Sequence, residues 1–201
     1  MRKLFFSCTL LICTLLSNKT TFAQRFGFEV NYGLNGVLEP SITNLSHFGA
    51  GLTYDLDETF GFKTDFGSDT FRTQLTSFPK ETGVNITRFS LQSTVNISTL
   101  IRETNMYNTF NLIAHAGGGY SMLKSNINKG TDNVVNVIMG LTPRFKLAYN
   151  LFLFVDASVI FNVSQHYKFD GLPAYDGQTP NSITGIMYNL SGGIAYQFDT
   201  Y

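Results

Sequence analysis

Eight ionisable side chains stand where a carboxylate or a cation would act on its neighbours rather than on water: Glu29, Lys63, Asp65, Arg88, His115, Arg144, Lys146 and Asp156. Asp156 is the clearest, set inside "NLFLFVDASVIFNVSQHYKF", a long run rich in Phe, Val and Ile. Charges that leave water must pair closely or cost several kcal/mol each. The chemistry open to such a set is a network of ion pairs that fills a space, or a gate that passes protons or ions. A second constellation is Ser164 with His166, two apart on one face and followed by Asp170, which contains the residue types of an activated nucleophile.

Other chemistries are poorly supplied. His47, His115 and His166 lack metal-ligand spacing. "HAGGGY" is glycine-rich but opens no helix, so it is not a phosphate cradle. Both cysteines, Cys8 and Cys13, fall in an N-terminal segment with the layout of a secretory signal peptide. In that segment Met1-Arg2-Lys3 is basic, Leu4 to Leu16 is apolar, and "TFAQ" supplies a small-residue cleavage site after Ala23. Residues 1–23 are therefore expected to be removed, leaving one domain over residues 24–201 without cysteine. Removal lowers 14 basic residues to 11 against 14 acidic ones, a net charge of −3, which offers nothing to nucleic acid. No cofactor, no metal and no enzymatic activity are expected.

The elements that must position these residues alternate with period two, eight times over. Phe26, Phe28, Val30, Tyr32 and Leu34 oppose Glu29, Asn31 and Asn35. Phe48 to Leu56 and Phe60 to Gly67 continue the pattern. Phe89, Leu91, Val95 and Ile97 oppose Arg88, Gln92 and Asn96, and Phe110 to Met122 sets leucines and alanines against His115 and glycines. Val135 to Leu147 opposes Asn136, Thr142, Arg144 and Lys146, the run around Asp156 is the seventh, and Ile186 to Phe198 is the eighth. With no comparable 3.6-residue period, the chain reads as all-β. Residues 36–47, 68–85, 124–133 and 166–184 read as long loops, and the links near Asp57, from Arg102 to Thr109, and at Tyr149-Asn150 as short turns.

Runs of this length match tilted membrane strands, and the polar faces carry too few charges for a water-facing surface. Aromatics gather toward the short-turn end (Phe26, Phe28, Phe60, Phe62, Tyr107, Phe110, Tyr149, Phe152, Tyr196, Phe198), with Phe71, Tyr120, Phe161 and Tyr188 toward the other. The fold expected is an eight-stranded antiparallel up-and-down transmembrane β-barrel. Such a barrel is wide enough only for its side chains to fill, so the eight ionisable residues should form a plug of ion pairs in the lumen. If the sixth and seventh runs turn tightly around Asn150, Arg144 lies opposite Asp156 and should pair with it. Phe152, Phe154 and Ile160 have inward parity in this scheme.

"FNLIAHAGGGYSML", "DNVVNVIMGLTPRFKL" and "LFVDASVIFNVSQHYKFDG" resemble the membrane-barrel half of OmpA-type outer-membrane proteins, and "GIAYQFDTY" resembles the C-terminal recognition strand of such barrels. The resemblance covers residues 25–198 and does not extend to a peptidoglycan-binding domain. It implies an integral outer-membrane protein of a Gram-negative bacterium, with both barrel termini periplasmic. The role expected is structural or in surface interaction, with outer-membrane lipids as partners, an extracellular partner held by the long loops, and a monomeric state. A small pore is the alternative, and a lipid A-modifying enzyme the third choice.

Overall fold

The computed structural model describes residues 25–102, 109–176 and 179–198; the expected leader, residues 1–23, and Tyr107 lie outside them. The alternating runs form β1 (Arg25–Val37), β2 (Ile42–Asp55), β3 (Phe60–Thr70), β4 (Val84–Asn96), β5 (Phe110–Ser125), β6 (Asp132–Lys146) and β7 (Leu151–Gln165). A two-residue pair, β8 (Tyr175–Asp176) and β9 (Thr179–Pro180), precedes β10 (Ile183–Phe198), and a short helix, α1 (Ile97–Arg102), follows β4. Consecutive long strands pair antiparallel, and β1 pairs with β10, closing an eight-stranded barrel. Closure leaves none of these eight strands at an edge.

The polarity of this barrel is inverted relative to a water-soluble one. Glu29, Lys63, Asp65, Asp69, Arg88, Arg144 and Asp156 are buried in the lumen, whereas Phe28, Leu52, Phe89, Leu91, Val137, Leu141, Val155 and Ile194 stand exposed on the outer wall. Aromatic pairs cluster outside at the short-turn end: Phe26 with Tyr54 at 4.7 Å, Phe110 with Phe145 at 5.1 Å, and Tyr196 with Phe198 at 5.1 Å between ring centroids. Two aromatics counted toward the girdles are inside the wall, Phe152 as its parity requires and Phe71 against expectation. Phe152 is buried on the parity of Asp156 within β7, and Phe71, the residue after β3, is buried on the parity of Asp69, its N–H donating to Val84 O at 2.8 Å.

Along the barrel axis the lumen is layered. The end containing Phe71 and the loops 71–83 and 166–182 is filled by apolar side chains, among them Val37, Ile42, Ile86, Leu123, Ile160 and Phe169. Phe71 meets Phe169 edge-on at 5.1 Å, so both loops fold back into the mouth. The charged residues occupy the middle, and Phe152, Phe154 and Ala195 form a small apolar group toward the opposite end. The inward parity of Phe152, Phe154 and Ile160 thus has a packing reason.

Three boundaries depart from expectation. Residues 36–47 are not a long loop: β1 runs to Val37 and β2 starts at Ile42. The polar residues there face other strands, with Asn35 Nδ2 donating to Thr70 O at 3.0 Å and Asn44 Oδ1 accepting from Arg72 N at 2.9 Å. The link after β4 is not a simple turn, because Ile97 leaves the sheet and begins α1. In β7 the alternation breaks at Ser164, the one described non-glycine residue with a left-handed backbone, φ 58°. This extra residue lets Asn162 and Gln165 both face inward, where Asn162 Nδ2 donates to Gln165 Oε1 at 3.1 Å.

Candidate functional site: a charged lumen

The charged layer is built by strands that alternate inward and outward, so each contributes one side chain per two residues to the same narrow space. Glu29 of β1 is the hub. Its carboxylate contacts the Lys63 ammonium of β3 and, through Oε2, Arg144 Nη2 of β6 at 3.2 Å. Lys63 also lies 3.4 Å from Asp65 Oδ1 on its own strand. One acid thus serves two cations, and one cation serves two acids.

Asp156 belongs to a neighbouring group. His115 Nε2 lies 2.9 Å from Asp156 Oδ2, and Thr142 Oγ1 donates to the same oxygen at 2.7 Å. The Ser158 hydroxyl donates to the other oxygen. His115 Nδ1 is held by Gln92 Oε1 at 2.6 Å, which fixes the ring between β4 and β7. Hydrogen bonds from several donors satisfy a carboxylate lone pair by lone pair, as a buried charge requires.

The expected pairing of Arg144 with Asp156 is therefore corrected. Leu147 N and Ala148 N both donate to Leu151 O, at 2.9 and 3.1 Å, which centres the hairpin on Tyr149 rather than Asn150. Arg144 then faces Phe154, and Phe145 faces Leu153. A two-residue change of register keeps each side chain on its face but replaces its partner. Arg144 reaches across to Glu29 and lies 5.9 Å from the Phe152 ring centroid.

A third group closes the layer toward the apolar mouth. Arg88 Nη1 lies 3.1 Å from Asp69 Oδ2, and His47 Nδ1 lies 2.8 Å from Asp69 Oδ1. Arg88 is among the most deeply buried side chains described. Asp69 and His47 fall in segments that read as loop, 68–85 and 36–47, although Asp69 continues the inward parity of Lys63 and Asp65 into the mouth. At the short-turn end Asp55 accepts from Gln197 Nε2 at 2.9 Å. Lys146 does not join the buried layer. It is half-buried beside the β6–β7 turn, with its ammonium 5.6 Å from the Tyr149 ring centroid.

Little space remains between these groups. The void bounded by Glu29, Asp55, Lys63, His115 and Arg144 measures about 20 Å³, and the one beside Asn96, Asn111 and Phe152 about 10 Å³. Each holds roughly one water at most. Of the Ser164, His166 and Asp170 constellation, the structure gives His166 a different acid. His166 Nδ1 lies 3.0 Å from Asp132 Oδ1, while Asp170 Oδ1 accepts from Leu172 N at 2.9 Å within its own loop.

No protein-family model matches the chain, and no curated protein sequence does. Solved structures do. The barrel is similar to a major outer membrane protein from Thermus thermophilus, with TM-score 0.60 and 13% identity over 88% of this chain and 100% of that one. It is similar to Neisserial surface protein A, with TM-score 0.57 and 8% identity over 87% of this chain and 97% of that one. The N-terminal β-barrel domain of OprF from Pseudomonas aeruginosa gives TM-score 0.51 and 12% identity over 87% and 99%. At these identities the likeness shows a common fold.

Proposed function

We propose that the protein is an integral outer-membrane β-barrel of OmpA-type architecture with a structural or surface-interaction role. The observation that carries this reading is the inverted polarity of a closed barrel. Ion pairs fill the inside, and a continuous wall of Phe, Leu, Val and Ile is exposed outside. Water would penalise that wall over its whole circumference, whereas hydrocarbon accepts it. Membrane lipids are the partner the wall fits.

Both ends of the barrel chain sit at the short-turn end, where Phe26 pairs with Phe198. This supports periplasmic termini, with loops 71–83 and 166–182 outside the cell. Those loops are where an extracellular partner would be held. A monomer suffices, because closure already satisfies every long strand.

The filled lumen supports a closed wall over a small pore, and reproducible conductance in planar bilayers would overturn this part of the proposal. No enzymatic activity is included: Asp132 accepts from His166 N at 2.5 Å as well as contacting its ring, which suits a structural tie at the base of the loop. Unchanged lipid A mass spectra with and without the protein are the expected result. The main reading is tested by fractionation and by heat-modified mobility on gels. Recovery in the outer-membrane fraction with a heat-dependent shift is expected; a soluble periplasmic protein without a shift overturns it.

A further inference from the structure

The barrel's inverted polarity continues into α1, at the end where short turns prevail. Asn96 starts this helix, its Oδ1 accepting from Ser98 N at 3.1 Å while its carbonyl accepts from Thr99 Oγ1 at 2.8 Å. The polar residues face the barrel. Ser98 Oγ accepts from Leu112 N at 2.9 Å, taking over the ladder where β4 ends, and buried Thr99 lies 3.0 Å from Thr59 of the β2–β3 turn. Ile97, Leu100 and Ile101 follow the i, i+3, i+4 spacing of a single helical stripe. Leu100 is 60% exposed and Ile101 74%, the latter among the most exposed large apolar side chains described.

A helix bathed in water would turn this stripe onto the barrel and leave Ser98 and Thr99 outside. It does the reverse. The stripe also continues the outer wall, since α1 leaves β4 one residue beyond Val95, which pairs with outward-facing Phe60. Phe110 and Phe145 stand exposed at the same rim, with the Lys146 ammonium over Tyr149 beside them. Aromatic rings and a snorkelling lysine mark the level of lipid headgroups.

We infer that α1 is an interfacial helix, its Ile97–Leu100–Ile101 stripe seated at the headgroup–acyl boundary of the leaflet on the short-turn side. The occupant is phospholipid. The inference rests on the membrane reading above. Its consequence is that the wetted apolar band is lower on the β4–β5 side, which sets the depth and tilt of the barrel. A short amphipathic helix of this kind binds through buried apolar area.

The chain contains no tryptophan, so single substitutions report position directly. Leu100→Trp, Ile101→Trp and, at mid-wall, Leu91→Trp would be folded into phosphatidylcholine–phosphatidylglycerol vesicles, each with its heat-modified gel shift verified. The vesicles would carry bromines either near the glycerol or deep in the acyl chains. Leu91→Trp should be quenched most by deep bromines. Leu100→Trp and Ile101→Trp should lose roughly half their emission to shallow bromines and resist aqueous acrylamide, as an interfacial side chain does. If Leu91→Trp is quenched while both helix positions are open to acrylamide and untouched by bromine, the inference fails and the membrane reading stands. Helix positions shielded from both quenchers would mean that protein, such as a second copy, covers the stripe, which also overturns it. Loss of quenching at Leu91→Trp itself removes the membrane reading and the inference together.

Discussion

Glu29 on β1 and Arg144 on β6 meet across the barrel, with Oε2 3.2 Å from Nη2 although 115 residues separate them in the chain. The same carboxylate also holds Lys63. Two buried cations therefore share this acid, Lys63 having Asp65 as its second carboxylate. Glu29→Gln leaves Arg144 facing a neutral amide and Lys63 with Asp65 alone, and should cost about 3–5 kcal/mol, the range for breaking a buried pair. Urea titration of vesicle-inserted protein measures it, and an unchanged midpoint would show that the cations find other acceptors.

The corrected pairing makes a second prediction. A double-mutant cycle of Arg144→Met with Glu29→Gln should show a coupling of roughly 1–3 kcal/mol, as direct contacts do. The cycle of Arg144→Met with Asp156→Asn should show clearly less, because Asp156 answers to His115, Thr142 and Ser158. The reverse ranking would restore the pairing expected from a turn centred on Asn150.

That difference marks the limit of what the residues announce by themselves. Alternation told which face of each strand looks inward, because period two is written locally. It even gave the inward parity of Phe152, Phe154 and Ile160. The choice between Asn150 and Tyr149 as hairpin centre rests on turn hydrogen bonds that "LAYNL" does not dictate. Glu29–Arg144 contact depends further on how the whole sheet is sheared when it closes, a property of all eight strands. The mouth is less legible for another reason: Val37 and Ile42 are apolar inside while Leu38 and Leu45 are apolar outside, so the polarity contrast that betrays a strand fades there.

Arg88→Met should be destabilising by about 3–5 kcal/mol, since Asp69 would keep only His47 among its ionic partners in a site closed to water. Adding Asp69→Asn should recover part of the loss, because the stranded charge is then gone. Thermal shifts of the heat-modified band, compared across the single and double variants, decide it. An additive double variant would mean that the two residues act separately.

The outer wall offers a test whose magnitude separates its two readings. Val137→Arg and Leu91→Arg lie on exposed mid-strand positions. Against hydrocarbon each should cost about 2–4 kcal/mol, whereas on a wetted surface the change should stay within about 0.5 kcal/mol. Unfolding in vesicles measures the difference.

Gly140 tests how tightly the middle layer is packed. A Cβ there would lie 2.6 Å from His115 Nε2 and 2.5 Å from the Ala157 carbonyl oxygen. Gly140→Ala should displace the imidazole from Asp156 and cost about 1–3 kcal/mol, as overpacking does. The His115 ring resonances report the displacement, and unmoved resonances would show that the strand yields instead.

The hub at Glu29 also dictates how this wall can be assembled. Its partners lie on the third and sixth strands, so no hairpin and no half of the sheet contains a complete set. A fragment carrying β1 to β5 into hydrocarbon would bring Glu29 and Lys63 without Arg144, and one carrying β6 to β10 would strand Arg144. Hydrocarbon offers a stranded charge no substitute for its missing partner. In the membrane setting proposed above, these side chains gain all their partners only when the first and last strands approach and the sheet closes.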